Sequence, residues 1–274
     1  MPERYSRNEG LFGAEGQCRI GEIKVAIAGL GGLGSHVAQQ LAYLGVEDYG
    51  LVDFDIVTDS SLNRLVGAQN ADVQRKTKKI AVAERMIKSI KPNAIVNPVD
   101  GRVTDASAKA AVVRADIVFG CLDRDLPRLQ LTELCAPYGR TLFDLASDVT
   151  GEDAELQYGG RMVLCDGNRC LACLALLDQR EMARDSMSPE QREAHDRIYG
   201  VRKGVLGDSG PMVVSINGAI ASIAVTEFMV LTTGLRTPFT NLRYYAERQV
   251  VRQSTDQPAP DCYYCKGIWA TAST

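Results

Sequence analysis

Only two histidines and one tryptophan occur in 274 residues, and aromatic side chains make up 6% of the chain. So little imidazole makes a Ser-His-Asp hydrolase a poor prospect. His36 falls in the first turn of a helix, a packing or capping position, and His195 in a charged stretch that faces solvent. Positive charge is not in excess either. Lys and Arg number 31 against 34 Asp and Glu, a net charge of -3. No broad basic field is therefore available to draw nucleic acid or an anionic membrane. The apolar stretch 212–231 is interrupted by Ser, Asn, Gly, Thr and Glu, which argues against a membrane span. The start, Met1-Pro2-Glu3-Arg4, is polar with no signal-peptide core behind it. A cytoplasmic protein is expected.

Short apolar runs alternating with helical periodicity are plentiful. Val25–Gly29 and Tyr49–Asp53 have the continuous apolar character of strands buried on both faces. A glycine cluster and an apolar helical run, Ser35–Leu44, lie between them. Further strands are expected at Ala94–Val99, Asp116–Cys121 and Thr141–Leu145. Helices are expected through Ala81–Ile90, ended by Pro92, and over Ala106–Arg114 and Leu126–Tyr138. This alternation implies right-handed crossovers and an α/β, Rossmann-like, doubly wound and mainly parallel sheet. Residues 1–23 read as an N-terminal arm or short helix and 24–150 as a nucleotide-binding half. Residues 151–274 supply a crossover, an antiparallel C-terminal extension and cysteine knuckles, all within one domain. There, Val149–Gly160 gives no clear element and Arg161–Cys165 reads as a strand. Gln179–Gly207 reads as a mobile, partly helical crossover, Pro211–Leu231 as a buried helix and Asn241–Val251 as a late strand.

Gly29, Gly31 and Gly34 fit G-x-G-x-x-G, which lets the backbone turn tightly and approach phosphates ahead of a helix N-terminus. Asp53 lies about twenty residues on, where a carboxylate accepts ribose hydroxyls. Alone, that motif belongs equally to any dinucleotide fold. Asp123 ends a buried strand at the carboxyl edge of the sheet, placed to hold Mg2+ against phosphates or simply to cap the next helix. Arg64, Lys78 and Lys79 form either a solvated basic face or the cations that a pyrophosphate leaving group needs. Hydride transfer has no such need. Of eight cysteines, Cys170/Cys173 and Cys262/Cys265 form two C-x-x-C pairs. Four thiolates suit a tetrahedral zinc ion and leave it no open position, so such a site is structural; a redox C-x-x-C is the alternative. Cys121 ends a strand beside Asp123, where burial explains it better than nucleophilic catalysis.

Arg4-Tyr5-Ser6-Arg7, the Gly29–Gly34 loop, Asp53-Phe54-Asp55, Ser61-Leu62-Asn63-Arg64, the lysines before Pro92, Cys121-Leu122-Asp123 and both C-x-x-C pairs follow one another in that order. In this combination the chain resembles the ThiF/MoeB/HesA family of ubiquitin-activating-type adenylyltransferases over nearly its whole length. The resemblance implies binding of ATP with Mg2+ and adenylation of the C-terminal glycine of a ubiquitin-like or sulfur-carrier protein ending in Gly-Gly. Pyrophosphate is the by-product. It assigns nucleotide contacts to Gly29, Gly31, Gly32, Gly34, Asp53, Asp55, Asn63 and Leu122. Phosphate contacts fall to Arg64 and to Lys79 or Lys78, and Mg2+ and the acyl phosphate to Asp123. Arg7 would reach into the site of a partner subunit, which implies a homodimer.

Such chemistry rests on in-line positioning and on screening of phosphate charge, because a carboxylate is a poor nucleophile. Two departures stand out. Ser61 occupies a position where the family has Asn, and no cysteine occurs between Cys173 and Cys262, where many members carry one that forms a thioester. Residues 205–210 stand in its place. Adenylation without a crossover thioester is expected, with the acyl-adenylate passing to a sulfur donor, an amine or a separate conjugating protein. Two other readings are an adenylating enzyme for a peptide or a modified tRNA nucleoside, and a non-catalytic scaffold paired with an active partner.

Overall fold

The computed structural model describes residues 3–150, 156–188, 190–193 and 212–272. Five strands, β1 (Lys24–Ala28), β2 (Asp48–Asp53), β3 (Ile95–Asp100), β4 (Ile117–Gly120) and β5 (Thr141–Thr150), pair in parallel. β6 (Gln157–Cys165), β7 (Asn241–Tyr245) and β8 (Val250–Gln253) continue the sheet antiparallel. The order is β3-β2-β1-β4-β5-β6-β7-β8. β1 and β4 are buried along nearly their whole length, as strands covered on both faces require. β3 lies at the edge and carries Pro98, which has no N–H to give a second neighbour.

The helices are α1 (Ser6–Glu22), α2 (Gly32–Leu44), the short α3 (Asn70–Gln74), α4 (Lys79–Ile90), α5 (Ala106–Arg114), α6 (Asp125–Cys135), α7 (Gln179–Asp185) and α8 (Val214–Thr233). Side chains of α2, α4 and α8 share one core with Phe119 and Phe143. On the opposite face, α5, α6 and the cysteine knuckles pack on Leu142, Val163 and Cys165. The Phe119 ring lies 5.2 Å from Phe143 and 5.7 Å from Phe228, so α8 is keyed to the centre of the sheet. By length and composition α8 could cross a bilayer, but half of its apolar window is buried inside the protein. An apolar helix with its wide stripe packed on a sheet is the core helix of a globular domain.

Several boundaries differ from the sequence expectation. The N-terminal arm is a 17-residue helix, kinked at Gly13 where φ is +74°. α2 begins at Gly32 rather than Ser35, because its first residues belong to the glycine loop. β5 and β6 take up Val149–Thr150 and Gln157–Gly160 of the unassigned stretch as an antiparallel ladder. The single late strand is two, β7 and β8, separated by a turn in which Gln249 adopts φ +52°. Of the expected crossover, α7 is seen, with the Asp178 side chain accepting a hydrogen bond from the Arg180 N–H. Residues 194–207 and His195 lie outside the described residues.

One ion pair fastens the segment after β2. Arg85 donates to both oxygens of the buried Asp72, at 2.9 and 2.7 Å, and holds that carboxyl down at about 2. Because the folded value lies below the unfolded one, the pair stabilises fully above about pH 4 and loses its effect as pH falls towards 2. Asp72→Asn should cost about 1 kcal/mol in urea unfolding at pH 7, since Arg85 is half in water. The gap to the wild-type protein should narrow below about pH 4 and close as the pH approaches 2.

Candidate active site

β1 pairs with β2 on one side and β4 on the other. The crossovers therefore diverge at its carboxyl end, the place where open α/β sheets take ligands. Gly29 has φ +88°, and a Cβ there would stand 2.5 Å from the Cys121 carbonyl oxygen. At Gly34 a Cβ would stand 1.9 Å from the carbonyl oxygen of Gly29. Both positions exclude every other residue. Around Gly31 nothing lies within 4 Å of a Cβ position, so this side of the loop is open. Gly31 caps α2 without a side-chain bond, which leaves the first N–H groups of the helix free for an anion. Leu122 closes the far side, its Cδ2 3.4 Å from the Gly29 Cβ position.

Asp53 is buried beneath this loop. Its two oxygens accept from the N–H groups of Leu30 at 2.7 Å and Asp55 at 2.8 Å. Burial pushes its carboxyl up, against the pull of Lys79 and the two N–H groups. The two lysines go to different acids. Lys79 Nζ pairs with Asp55 at 2.7 Å beside Asp53, whereas Lys78 Nζ turns to Asp100 at 2.9 Å and the Phe54 carbonyl. Arg64 is folded back, donating to the Ser60 carbonyl and to Asn63 Oδ1. Its Cδ is 3.5 Å from the Gly32 Cβ position. Ser61 is buried in a reciprocal capping box with Thr58.

Asp123 is exposed just beyond β4 and has no hydrogen-bond or ion-pair partner among the described residues. It does not cap α6, whose N-cap position is Arg124. Its loop is held by a residue that sequence reasoning passed over, Arg128. The Arg128 Nε donates to the Leu122 carbonyl at 2.9 Å and lies 3.9 Å from the buried Asp144. An arginine five residues after Asp123 was the only signal, and nothing in the chain before folding points it at Asp144. Arg7 is not brought to this site. Two residues before it, Tyr5 packs on Gly45 at the far end of α2, a helix of 13 residues and so about 20 Å long.

The two C-x-x-C pairs meet. All four sulfurs, of Cys170, Cys173, Cys262 and Cys265, lie within 4.8 Å of one another. Cys170 and Cys262 are 3.6 Å apart, and Cys173 and Cys265 3.9 Å. A zinc ion with Zn–S bonds of about 2.3 Å needs tetrahedron edges of about 3.8 Å, so the donor set fits zinc. Burial pushes the Cys170 thiol up to about 12 and the Cys265 thiol up as well. A bound cation is what would hold such thiols as thiolates.

The family model for ThiF matches residues 5–264. The chain belongs to the ThiF family. Among ThiF relatives, the sulfur carrier protein ThiS adenylyltransferase of Escherichia coli K12 is 27% identical over 270 residues, covering 96% of this chain and 95% of the relative. The molybdopterin-synthase adenylyltransferase of the same organism is 32% identical over 177 residues, 64% of this chain and 68% of the relative. In structure, E. coli MccB with ATP superposes with a TM-score of 0.72 at 19% identity, over 97% of this chain and 75% of that one. That likeness speaks to the fold. Membership makes the chain an E1-like adenylyltransferase.

This ThiF chain has four cysteines outside the knuckles. Burial pushes the thiols of Cys121, Cys135 and Cys165 well up. The exposed Cys18 is raised by its hydrogen bond to Glu22. None is disposed to ionise as a nucleophile. His36 packs on α8 at Gly218, and burial lowers its basicity.

Elemental analysis of the purified chain should find about one zinc per chain. Cys262→Ser should lose the metal and thermal stability together while ATP binding survives. Gly34→Ala should cost about 3 kcal/mol or more in urea unfolding, whereas Gly31→Ala should fold as the wild type does.

Proposed function

We propose that this chain uses ATP and Mg2+ to adenylate the C-terminal carboxylate of a small sulfur-carrier or ubiquitin-like protein ending in Gly-Gly. It does so in the cytoplasm, as a single adenylation domain, without a cysteine thioester in its crossover. The observation that carries the reading is the unpartnered Asp123, standing at the strand edge beside an open glycine loop flanked by Arg64 and Lys79. A free carboxylate among cations is what a magnesium triphosphate requires. The named activities of the two E. coli relatives support the choice of substrate.

In this reading the N–H groups of Gly31, Gly32 and the first turn of α2 hold phosphate oxygens. Asp53 orders the loop through Leu30 and keeps lone pairs for the ribose hydroxyls. Arg64 swings from Ser60 and Asn63 to the phosphates, and Lys79 moves from Asp55 to the same charge. Lys78, tied to Asp100 and Phe54, stays behind. Mg2+ held at Asp123 would screen the phosphates. The substrate carboxylate then attacks the α-phosphorus in line, forming the acyl–phosphate bond as the bond to pyrophosphate breaks. Arg7, at the start of α1 and beside the far end of α2, is too distant to serve its own site and supplies its cation to the partner subunit of a homodimer. The acyl-adenylate passes to a sulfur donor, an amine or a separate conjugating protein.

ATP–pyrophosphate exchange with Gly-Gly-ending proteins tests the reading. Asp123→Ala should lower exchange about 100-fold, and exchange at the wild-type rate would remove Asp123 from the mechanism. Arg7→Ala and Asp123→Ala, each inactive alone, should recover about a quarter of wild-type exchange when their dimers are dissociated and remixed, because half the dimers then carry one complete site. No recovery would place Arg7 in its own subunit's chemistry or outside the site altogether.

A further inference from the structure

Asn217 is out of place in its helix. It lies between Ile216 and Gly218 in the first turns of α8, is fully buried, and neither its Oδ1 nor its Nδ2 has a hydrogen-bond partner among the described residues. Burying an amide unpaired is more costly than burying an apolar side chain of the same size. The packing of α8 gives no reason for it. The start of that helix is already fixed on α2 by Ile216 in the core and by His36, whose ring lies against Gly218.

The carboxamide is aimed at the nucleotide loop. Its Nδ2 stands 2.2 Å from where a Gly32 Cβ would be, so a side chain at position 32 and the amide at 217 exclude each other. The stem of Arg64 reaches the same point, its Cδ 3.5 Å away. Three features therefore meet at one spot: the first residue of α2 with its uncapped N–H groups, an amide without a partner, and the stem of a phosphate-seeking arginine held back on Ser60 and Asn63.

We propose that Asn217 is a nucleotide-binding residue covered by Arg64 until ATP arrives. As the guanidinium leaves the Ser60 carbonyl for the phosphates, its stem lifts from Gly32. The Asn217 Nδ2 then donates to a phosphate oxygen, gaining the partner it lacks in the empty loop. No bond is made or broken covalently. The consequence is that the start of α8 registers whether the phosphate site is filled. The proposal rests on the ATP reading above and adds to it a contact from the second half of the chain.

Full-length wild type, Asn217→Ala and Asn217→Asp are compared by calorimetric titration with MgATP and by thermal melting without nucleotide. Asn217→Ala should bind ATP about tenfold more weakly or worse, the loss of one hydrogen bond to a charged acceptor. Its nucleotide-free melting temperature should equal or exceed that of the wild type, because the alanine removes an unpaired buried amide. Asn217→Asp, the same size but acidic, should bind more weakly still. ATP affinity within twofold of wild type in Asn217→Ala overturns the proposal, whatever its melting temperature. So does an alanine variant that fails to fold, since the amide is then needed for packing. A wild-type protein that binds no ATP overturns the nucleotide reading itself and this proposal with it, an outcome distinct from normal wild-type binding with an indifferent variant.

Discussion

Where β1 gives way to α2, backbone touches backbone. The Gly29 carbonyl fills the space a side chain would need at Gly34, and the Cys121 carbonyl fills the space beside Gly29. This contact draws the ends of β1 and β4 together at the switch point and leaves the first turn of α2 open on one side only. Asp53 then locks the arrangement by accepting the Leu30 N–H from below. With the loop in that shape, α2 presents its uncapped end to whatever anion enters. Without it, Asp123, Leu122 and the cations near Arg64 would have nothing to surround.

Charge around the loop is sorted by pairing rather than by abundance. The chain is slightly acidic overall, yet the edge of its glycine loop carries Arg64, folded back on Ser60 and Asn63, and Lys79, paired with Asp55. Lys78 is committed to Asp100 at the sheet edge. Asp123 alone among these groups has no partner among the described residues. Arg128, by contrast, is buried with Asp125 and Asp144. There it acts on the shape of the Asp123 loop and not on its charge.

The second half of the chain closes the site from behind. α8 buries its apolar sides against α2 and the Phe119 cluster, and its Glu227 anchors Arg236 and the Phe239 N–H beyond the helix end. The cysteine knuckles, 92 residues apart in sequence, bind the end of the chain to the segment that leaves β6. The cysteine cluster and α8 thus pack on opposite faces of one sheet. That economy explains how a polar residue such as Asn217 can be carried in the core: its neighbours hold α8 without it.

Local chemistry was legible in the sequence. Glycine spacing with apolar runs marked the loop and the parallel strands, because only glycine tolerates the contacts at positions 29 and 34. The two C-x-x-C pairs announced their metal cage, since thiol pairs at that spacing have few other uses. Long-range pairing was not legible. Residue types alone could not separate Lys78 from Lys79, place Arg128 beneath Leu122, or set Asn217 against Gly32, for each depends on side chains that meet only after the sheet has formed. The split of β7 from β8 was hidden too, as its turn has no glycine or proline and relies on Gln249 in a left-handed conformation. By itself the sequence determined that a phosphate-binding loop and a thiol cage exist. The tertiary structure decided which cations and amides face that loop, because burial and hydrogen bonding are properties of neighbours brought together from distant parts of the chain.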